Sequence, residues 1–474
     1  MFISDINEEY VSKTIFKINE FLQKNFNHKK KVSPNHTIFD FSKKIKNNLL
    51  FDDNTFYKNY INKFDIVFGN PPFVTLYGRR DKKNNENQRV EYLKNFNQFP
   101  DYVKNGKINL LMLFIENGLD LLKKNGELIY ICDGTFFEKS FEHTRKYLLE
   151  NFFIDKIHIN LREFKDVYSS QLILKLINNK CKEEYYTTIL DDKLNKEVKI
   201  NQSLWINKED NYKIRFYFDK KISNILTKIK KKVPTTLYEI YPGKKLRTSS
   251  MLLTYEEEFT ITDLDKRNLK YYNFYNGSKS LTEKYGELIY KKLFFYDRDK
   301  QNKINDELKI QLIKQGIKNK KRIGLGEKIV HEMPKVYIRQ SSKDIIATLD
   351  MNVSTANNSL YLFSLRSNDP KDIEILKYIC GLLNSKVINF YCRSFGVIRS
   401  GIAKQPQMNI SDLYLIPYPT NINLQKKISE LVDNIYKDKS KKNLIMKEID
   451  RLFFLHFELN ENEIDYINHY LDNF

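Results

Sequence analysis

Apolar and polar positions along the first 180 residues alternate between two periods. Short apolar runs with strand spacing stand at residues 2–6, 37–41 (TIFDF), 64–69 (FDIVFG), 127–132 (ELIYIC), 154–160 and 170–178. Between them lie segments with helical spacing. Residues 8–26 place Val11, Ile15, Ile18, Phe21 and Leu22 on one face. Residues 109–124 (NLLMLFIENGLDLLKK) form a largely buried helix stopped by Asn125 and Gly126, and a further helix falls around residues 141–150. Strands alternating with helices predict an α/β unit.

Beyond residue 178 the pattern changes. Residues 181–236 are charged, include KIKKKVP at 228–234, and read as a connector. Residues 237–420 carry shorter, more varied strands interrupted by Gly, Asn and Ser, the pattern of a mixed α+β module. In the tail, ISELVDNIY and LIMKEIDRLFFLHF repeat apolar residues every three or four positions, and NENEIDYINHYL follows as a short helix. The organisation predicted is thus an α/β domain over residues 1–180, a connector over 181–236, a mixed domain over 237–420 and a helical segment over 421–474.

Composition adds a partner class. A chain of 474 residues with 41% apolar and 14% aromatic positions is globular, and 80 Lys and Arg against 60 Asp and Glu leave a net charge of +20. A basic surplus of this size suits a polyanion, because neutralising phosphates releases condensed counterions. Cys132, Cys181, Cys380 and Cys392 are too widely spaced for a zinc ribbon and too few for a disulfide scaffold, which fits a reducing cytoplasm. No apolar run approaches the roughly 18 residues that span a bilayer, and the first residues lack the features of a signal peptide, so no membrane partner is expected. The seven histidines show no metal-ligand spacing.

The most informative stretch is FDIVFGNPPF at residues 64–73. Gly69 punctuates a buried strand, and Asn70, Pro71, Pro72 and Phe73 follow on a loop at its carboxyl edge, where ligands bind in open α/β sheets. An aromatic amine is a poor nucleophile because its lone pair is delocalised into the ring. Two acceptors gripping its two hydrogens draw the nitrogen toward tetrahedral geometry; the Asn70 side-chain oxygen and the Pro71 carbonyl are suited to that task. Proline holds its carbonyl in place in advance, and Phe73 offers a face for a stacked base.

This segment resembles the catalytic motif of the gamma-class DNA adenine-N6 methyltransferases of restriction-modification systems. The resemblance implies a partial Rossmann-like methyltransferase domain that uses S-adenosylmethionine, followed by a mixed α+β DNA-recognition domain and a helical tail. Further stretches carry it. FISDIN at residues 2–7 is similar to the family's strand whose acid, here Asp5, binds the cofactor ribose, and IFDF at 38–41 falls where Asp40 and Phe41 would border the cofactor adenine. NLLMLFIENGLDLLKKNGELIYIC followed by Asp133, Gly134, Thr135 and Phe136 resembles the scaffold beside the catalytic loop. Phe164, in LREF, matches the aromatic residue that faces a flipped target base. The segments KVYIRQSSKDIIATLD, NNSLYLF and residues 382–419 are similar to a TaqI-like C-terminal recognition domain, with Arg339, Arg393, Arg399 and Lys404 as candidates for contact with double-stranded DNA.

One departure matters. The family's glycine-rich cofactor loop precedes the acidic strand, whereas residues 1–68 hold no glycine. The expectation is a truncated or split form, with an upstream fragment carrying that loop and a cognate restriction endonuclease as its partners. A catalytically inactive DNA-binding remnant is the alternative. Methylation of RNA or of a protein glutamine is disfavoured by the large basic second domain.

Overall fold

The computed structural model describes residues 2–5, 7–26, 35–38, 60–76, 93, 96–98, 108–137, 139–161, 171–208, 211–216, 218–243, 245–247, 253–266, 270–314, 323–395, 397–399, 407–408 and 410–473. The chain divides into two compact units, Met1–Phe216 and Tyr217–Phe474.

In the first unit, β1 (Phe2–Asp5) and β2 (Asn35–Ile38) form a parallel pair, with α1 (Glu8–Phe26) between them in sequence. Val11 is buried on α1 and Ile15, Ile18 and Leu22 are half-buried, as the helical period predicts. Phe21 departs from that face: it is 57% exposed and its ring meets Phe26 at 6.0 Å.

The main sheet has six strands in the order β10, β9, β7, β8, β6, β3. They are β3 (Phe64–Gly69), β6 (Leu122–Asp133), β7 (Phe153–Ile159), β8 (Gln171–Ile177), β9 (Tyr186–Asp191) and β10 (Lys196–Asn201). The short strands β4 (Thr75–Leu76) and β5 (Ile108–Asn109) pair with each other. Among the described residues two further helices follow in this unit, α2 (Leu110–Leu121) and α3 (Glu142–Asn151). The strand β3 runs parallel to β6 as the outermost strand of the sheet. Its residues 64–68 are not the buried run expected from the sequence: Ile66 is 53% and Phe68 72% exposed on a face that the described residues leave open, whereas Val67, pointing the other way, packs against the core.

Helix α2 is nearly all core, burying Leu111, Met112, Leu113, Ile115 and Leu119. It ends at Leu121, three residues short of the predicted stop. The backbone that follows is captured by its neighbours: Asn178 Nδ2 donates to the carbonyls of Leu122 and Lys123 at 2.9 and 3.1 Å, and Asn125 N donates to Asn178 O at 3.0 Å. The chain enters β6 at Leu122, and within its first residues Asn125 takes a positive φ of 65°.

The predicted connector is also corrected. Residues 186–201 supply β9 and β10 to the main sheet, and Ile189, Ile200, Trp205, Tyr212 and Ile214 belong to the same core as α2. Buried Arg145 on α3 fastens this segment, donating to Tyr212 O at 3.0 Å and Asn211 O at 3.2 Å while also reaching Phe136 O at 2.9 Å. The charges that suggested a linker include the outer side of a two-residue alternation, with Glu197 and Lys199 exposed, Val198 half-buried and Ile200 buried.

The second unit opens with α4 (Lys220–Lys232), capped by Asp219 and burying Ile222, Ile225, Leu226 and Ile229. KIKKK is thus the last turn of an amphipathic helix, whose basic residues suit its carboxyl end. Two four-stranded sheets follow. One has the order β11 (Leu246–Arg247), β18 (Leu360–Phe363), β15 (Lys335–Arg339), β16 (Ala347–Asp350), and the other β12 (Thr260–Ile261), β14 (Lys292–Phe295), β13 (Tyr271–Tyr275), β17 (Ser354–Ala356). Helix α5 (Arg298–Lys314) lies between β14 and β15 in sequence, and α6 (Pro370–Asn384) and α7 (Lys386–Ser394) come after β18.

The tail forms α8 (Ile422–Lys437), α9 (Lys442–His456) and α10 (Glu461–Asn473). These helices are part of the mixed module and not a separate segment. The Tyr436 hydroxyl accepts Leu349 N at 2.7 Å, Asp450 accepts Lys386 N at 2.7 Å, and Ser429 donates to Glu374 O at 2.7 Å. No helix among the described residues is long and apolar enough to cross a membrane.

Candidate active site and nucleic-acid interface

The Asn70 loop is fixed at both ends. On the amino side, Gly69 pairs with Tyr130 in the parallel β3–β6 ladder, and β6 continues past it to Asp133. On the carboxyl side, Leu110 N donates to Val74 O at 2.9 Å and Asn109 Nδ2 donates to Thr75 Oγ1 at 3.1 Å. Asn109 also caps α2 by accepting Leu111 N at 3.0 Å, so one residue starts the core helix and ties down the loop. Within the loop Pro71 is buried and Asn70 and Pro72 are exposed. Phe73 is half-buried and packs against the main core. Asn70 makes no side-chain hydrogen bond among the described residues, leaving an amide held at the carboxyl edge of a parallel strand.

The strand behind the loop is chemically quiet. Burial pushes the Tyr130 hydroxyl and the Cys132 thiol well above their ordinary values, so neither ionises near neutrality. Asp133, at the end of β6, accepts Thr135 N at 2.8 Å and the Thr135 hydroxyl, bending the chain away from the strand.

Of the residues assigned to the cofactor, Asp5 is the last residue of β1, at the carboxyl end of the parallel pair. Asp40 and Phe41 lie outside the described residues, Asp40 two positions after the end of β2. A carboxylate at the carboxyl end of a parallel strand, as Asp5 is, is an acceptor of the kind that suits the ribose hydroxyls of a nucleoside cofactor. Phe164 lies outside the described residues.

The recognition candidates behave differently from one another. Arg393 is buried: it donates from Nε to Lys343 O at 3.0 Å and from Nη1 to Leu471 O at 2.8 Å, and it pairs with Asp344 at 2.9 Å. Its guanidinium is thus committed to holding α7 and the tail, which corrects its assignment to a DNA contact. Arg339, by contrast, ends β15 half-buried, with Nε buried and unpartnered. Arg399 falls in a two-residue strand paired with residues 407–408, and Met408 N donates to Gln340 O at 3.0 Å, beside Arg339. Lys404 lies outside the described residues. Sequence reading missed Lys284 and Lys343, which border the same recess as Arg339. Lys343 follows Arg339 by four residues within KVYIRQSSKDIIATLD, whereas Lys284 lies in none of the segments singled out, and only tertiary structure brings it to the other two.

Comparison with known proteins agrees with this layout. Residues 1–168 match the model of the Eco57I restriction-modification methylase family, and residues 270–418 match the TaqI-like C-terminal specificity domain. The Type II methyltransferase M.HindII of Haemophilus influenzae is 22% identical over 426 residues, which cover 79% of each chain. The Type II methyltransferase M.HincII of the same species is 36% identical over 121 residues, 25% of this chain and 23% of that one. Among solved structures, the Type IIL restriction-modification enzyme MmeI in complex with DNA has a similar fold: TM-score 0.61, 11% identity, and coverage of 99% of this chain. The present chain spans 65% of the length of that enzyme's chain.

Proposed function

We propose, from the premise that the chain belongs to the restriction-modification DNA methyltransferases and carries a TaqI-like specificity domain, that it methylates the N6 amino group of a specific adenine in duplex DNA. The observation that carries this reading is the loop Asn70-Pro71-Pro72-Phe73, tied at both ends and presenting, at the carboxyl edge of β3, a side-chain amide that makes no hydrogen bond among the described residues.

Asn70 Oδ1 and the Pro71 carbonyl accept the two hydrogens of the adenine amine, and this grip aims the nitrogen lone pair along one direction. Phe73, anchored in the core on one side, supplies the surface on which the base stacks, and Phe164 borders it from the edge. The target leaves the duplex first, because neither acceptor reaches a paired amine in this geometry. S-adenosylmethionine supplies the electrophilic methyl group; Asp5 and Asp40 would hold its ribose and Phe41 its adenine. Because the acceptors cost no reorganisation when the reaction starts, their contribution falls on the transition state more than on DNA affinity.

The test is nucleoside analysis of DNA incubated with the protein and methyl-labelled S-adenosylmethionine. Label in N6-methyladenine supports the reading. Label in a cytosine overturns the choice of base, and duplex binding without any transfer assigns the chain a binding role alone.

A further inference from the structure

On the second unit, an open recess of about 420 Å³ is bordered by Lys284, Arg339, Lys343, Glu283, Asp344 and Ser342. Its charges are not balanced within it. Both acids are drawn to bases from other elements: Glu283 pairs with Lys442 at 2.8 Å and Asp344 with Arg393 at 2.9 Å. Among the described residues no carboxylate pairs with Lys284, Arg339 or Lys343. Lys284 Nζ donates to the Asn384 carbonyl at 2.9 Å, and Arg339 Nε is buried with no hydrogen-bond partner. A buried guanidinium N–H left unpaired is costly, and Asp344 Oδ1, on the same recess, is likewise buried without a hydrogen-bond partner, although it lies 2.9 Å from Arg393 Nε. Burial also holds the Lys284 ammonium below its ordinary pKa, with Asp344 and Asp450 opposing that shift and Arg393 and Lys386 adding to it. Burial lowers Lys343 likewise, with Arg393 adding to the shift.

The walls are held rigidly. Arg339 N donates to Ile346 O at 3.0 Å, closing the hairpin that carries Ser342, Lys343 and Asp344. Asn384 clamps Ala347 on both sides, accepting its N–H at 3.0 Å and donating to its carbonyl at 2.9 Å. Asn389 accepts Ile345 N at 2.6 Å. A site fixed in this way loses little order on binding.

We propose that this recess seats one backbone phosphate of the bound duplex. Arg339 presents its planar fork to two phosphate oxygens, Lys343 approaches from the exposed rim, and Lys284 adds charge from the buried side. The assignment to DNA and not to a free anion rests on the methyltransferase reading above. The recess therefore positions the specificity domain on its site without itself reading a base.

The experiment compares the parent protein with Arg339→Gln, Lys343→Gln and the double variant, using duplex binding by fluorescence anisotropy over a salt series. Lys426→Gln, an exposed position on α8, serves as the charge-matched control. Lys284 is left intact because it is largely buried, and thermal unfolding verifies that each variant is folded. If Arg339→Gln proves unstable, Arg339→Lys replaces it, retaining charge but losing the fork. The expected result is a roughly tenfold loss of affinity in the double variant, with the slope of log K against log salt reduced by about one, and little change in the control. A double variant that matches the parent in affinity and slope overturns the proposal while leaving the function reading intact. Absence of duplex binding by the parent overturns both. Adenosine monophosphate and inorganic phosphate are titrated alongside. Tight binding of either to the parent, lost in Arg339→Gln while duplex affinity is unchanged, assigns the recess to a free phosphate compound and overturns the DNA source.

Discussion

Gly118 lies in the middle of α2, where a glycine costs helix stability, and its position is explained by what stands opposite. A Cβ placed there would meet Leu128 Cδ1 and the Tyr130 hydroxyl oxygen each at 2.6 Å, with the phenol carbon at 3.2 Å. The leucine methyl can turn aside, but the Tyr130 ring is 3% exposed and has no room to move. Gly118→Ala therefore sets an overpacking cost of roughly 1–3 kcal/mol against a gain of about 1 kcal/mol from replacing a mid-helix glycine. The net is a loss of about 0–2 kcal/mol, or at most a few degrees in Tm for a unit of this size. Activity should suffer more than stability, because the same ring stands 3.5 Å from where a Gly69 Cβ would lie, one residue before Asn70. A shifted Tyr130 would displace the two acceptors, Asn70 Oδ1 and the Pro71 carbonyl, proposed to hold the amine. The assay is thermal unfolding with methyl-transfer rates for Gly118→Ala, Tyr130→Phe and the double variant. Tyr130→Phe alone loses only a long hydrogen bond to Phe114 O at 3.3 Å. The double variant should recover about 1 kcal/mol relative to the sum of the singles, because the hydroxyl that clashes is gone. A Gly118→Ala protein more stable than the parent, with full activity, would refute the packing argument.

Three further outcomes follow from the structure. Lys335 is fully buried, donating to His331 O at 2.8 Å, and burial, opposed by Asp350, lowers its pKa from 10.5 to about 8. Between those values the unfolded chain binds the extra proton, so Lys335 itself contributes a rise with pH on the order of 1–2 kcal/mol from pH 8 to 9.5. The thiols of Cys132, Cys380 and Cys392, which burial raises, act with the opposite sign over the same range, so the contribution is read as the stability difference between the parent and Lys335→Met at each pH in denaturant titrations. Tyr275 and Tyr337, which burial raises, act with the opposite sign only above about pH 10, where unfolded tyrosines ionise. Arg145→Met leaves the carbonyls of Phe136, Asn211 and Tyr212 without their donor and should cost about 3–5 kcal/mol by chemical denaturation. Tyr436→Phe strands Leu349 N and should lower stability by about 1–3 kcal/mol, with loosened protection of the tail helices in hydrogen exchange.

What the sequence reveals depends on how local the determinant is. Helix α1 is legible to the residue because its period and flanks lie within one stretch, whereas Phe21 leaves the predicted face for a ring contact with Phe26. The end of α2 is not legible, since Asn178, more than fifty positions away, captures the backbone of residues 122 and 123. Residues 186–201 read as a linker because charge masks a two-residue alternation that matters only once β7 is beside it. The Asn70 loop is plain in the sequence because its chemistry needs consecutive residues. The phosphate recess is not, because Lys284 and Arg339 lie on separate elements that only the folded domain assembles.

The most direct test is mass spectrometry of nucleosides from DNA of cells expressing this protein from its own locus, compared with cells carrying Asn70→Ala. N6-methyladenine should be present with the parent and absent with the variant, while duplex affinity of the variant stays within about threefold, since phosphate contacts supply most of it. Near-normal N6-methyladenine in the Asn70→Ala cells would contradict the role assigned to the amide and, with it, the catalytic reading of the loop.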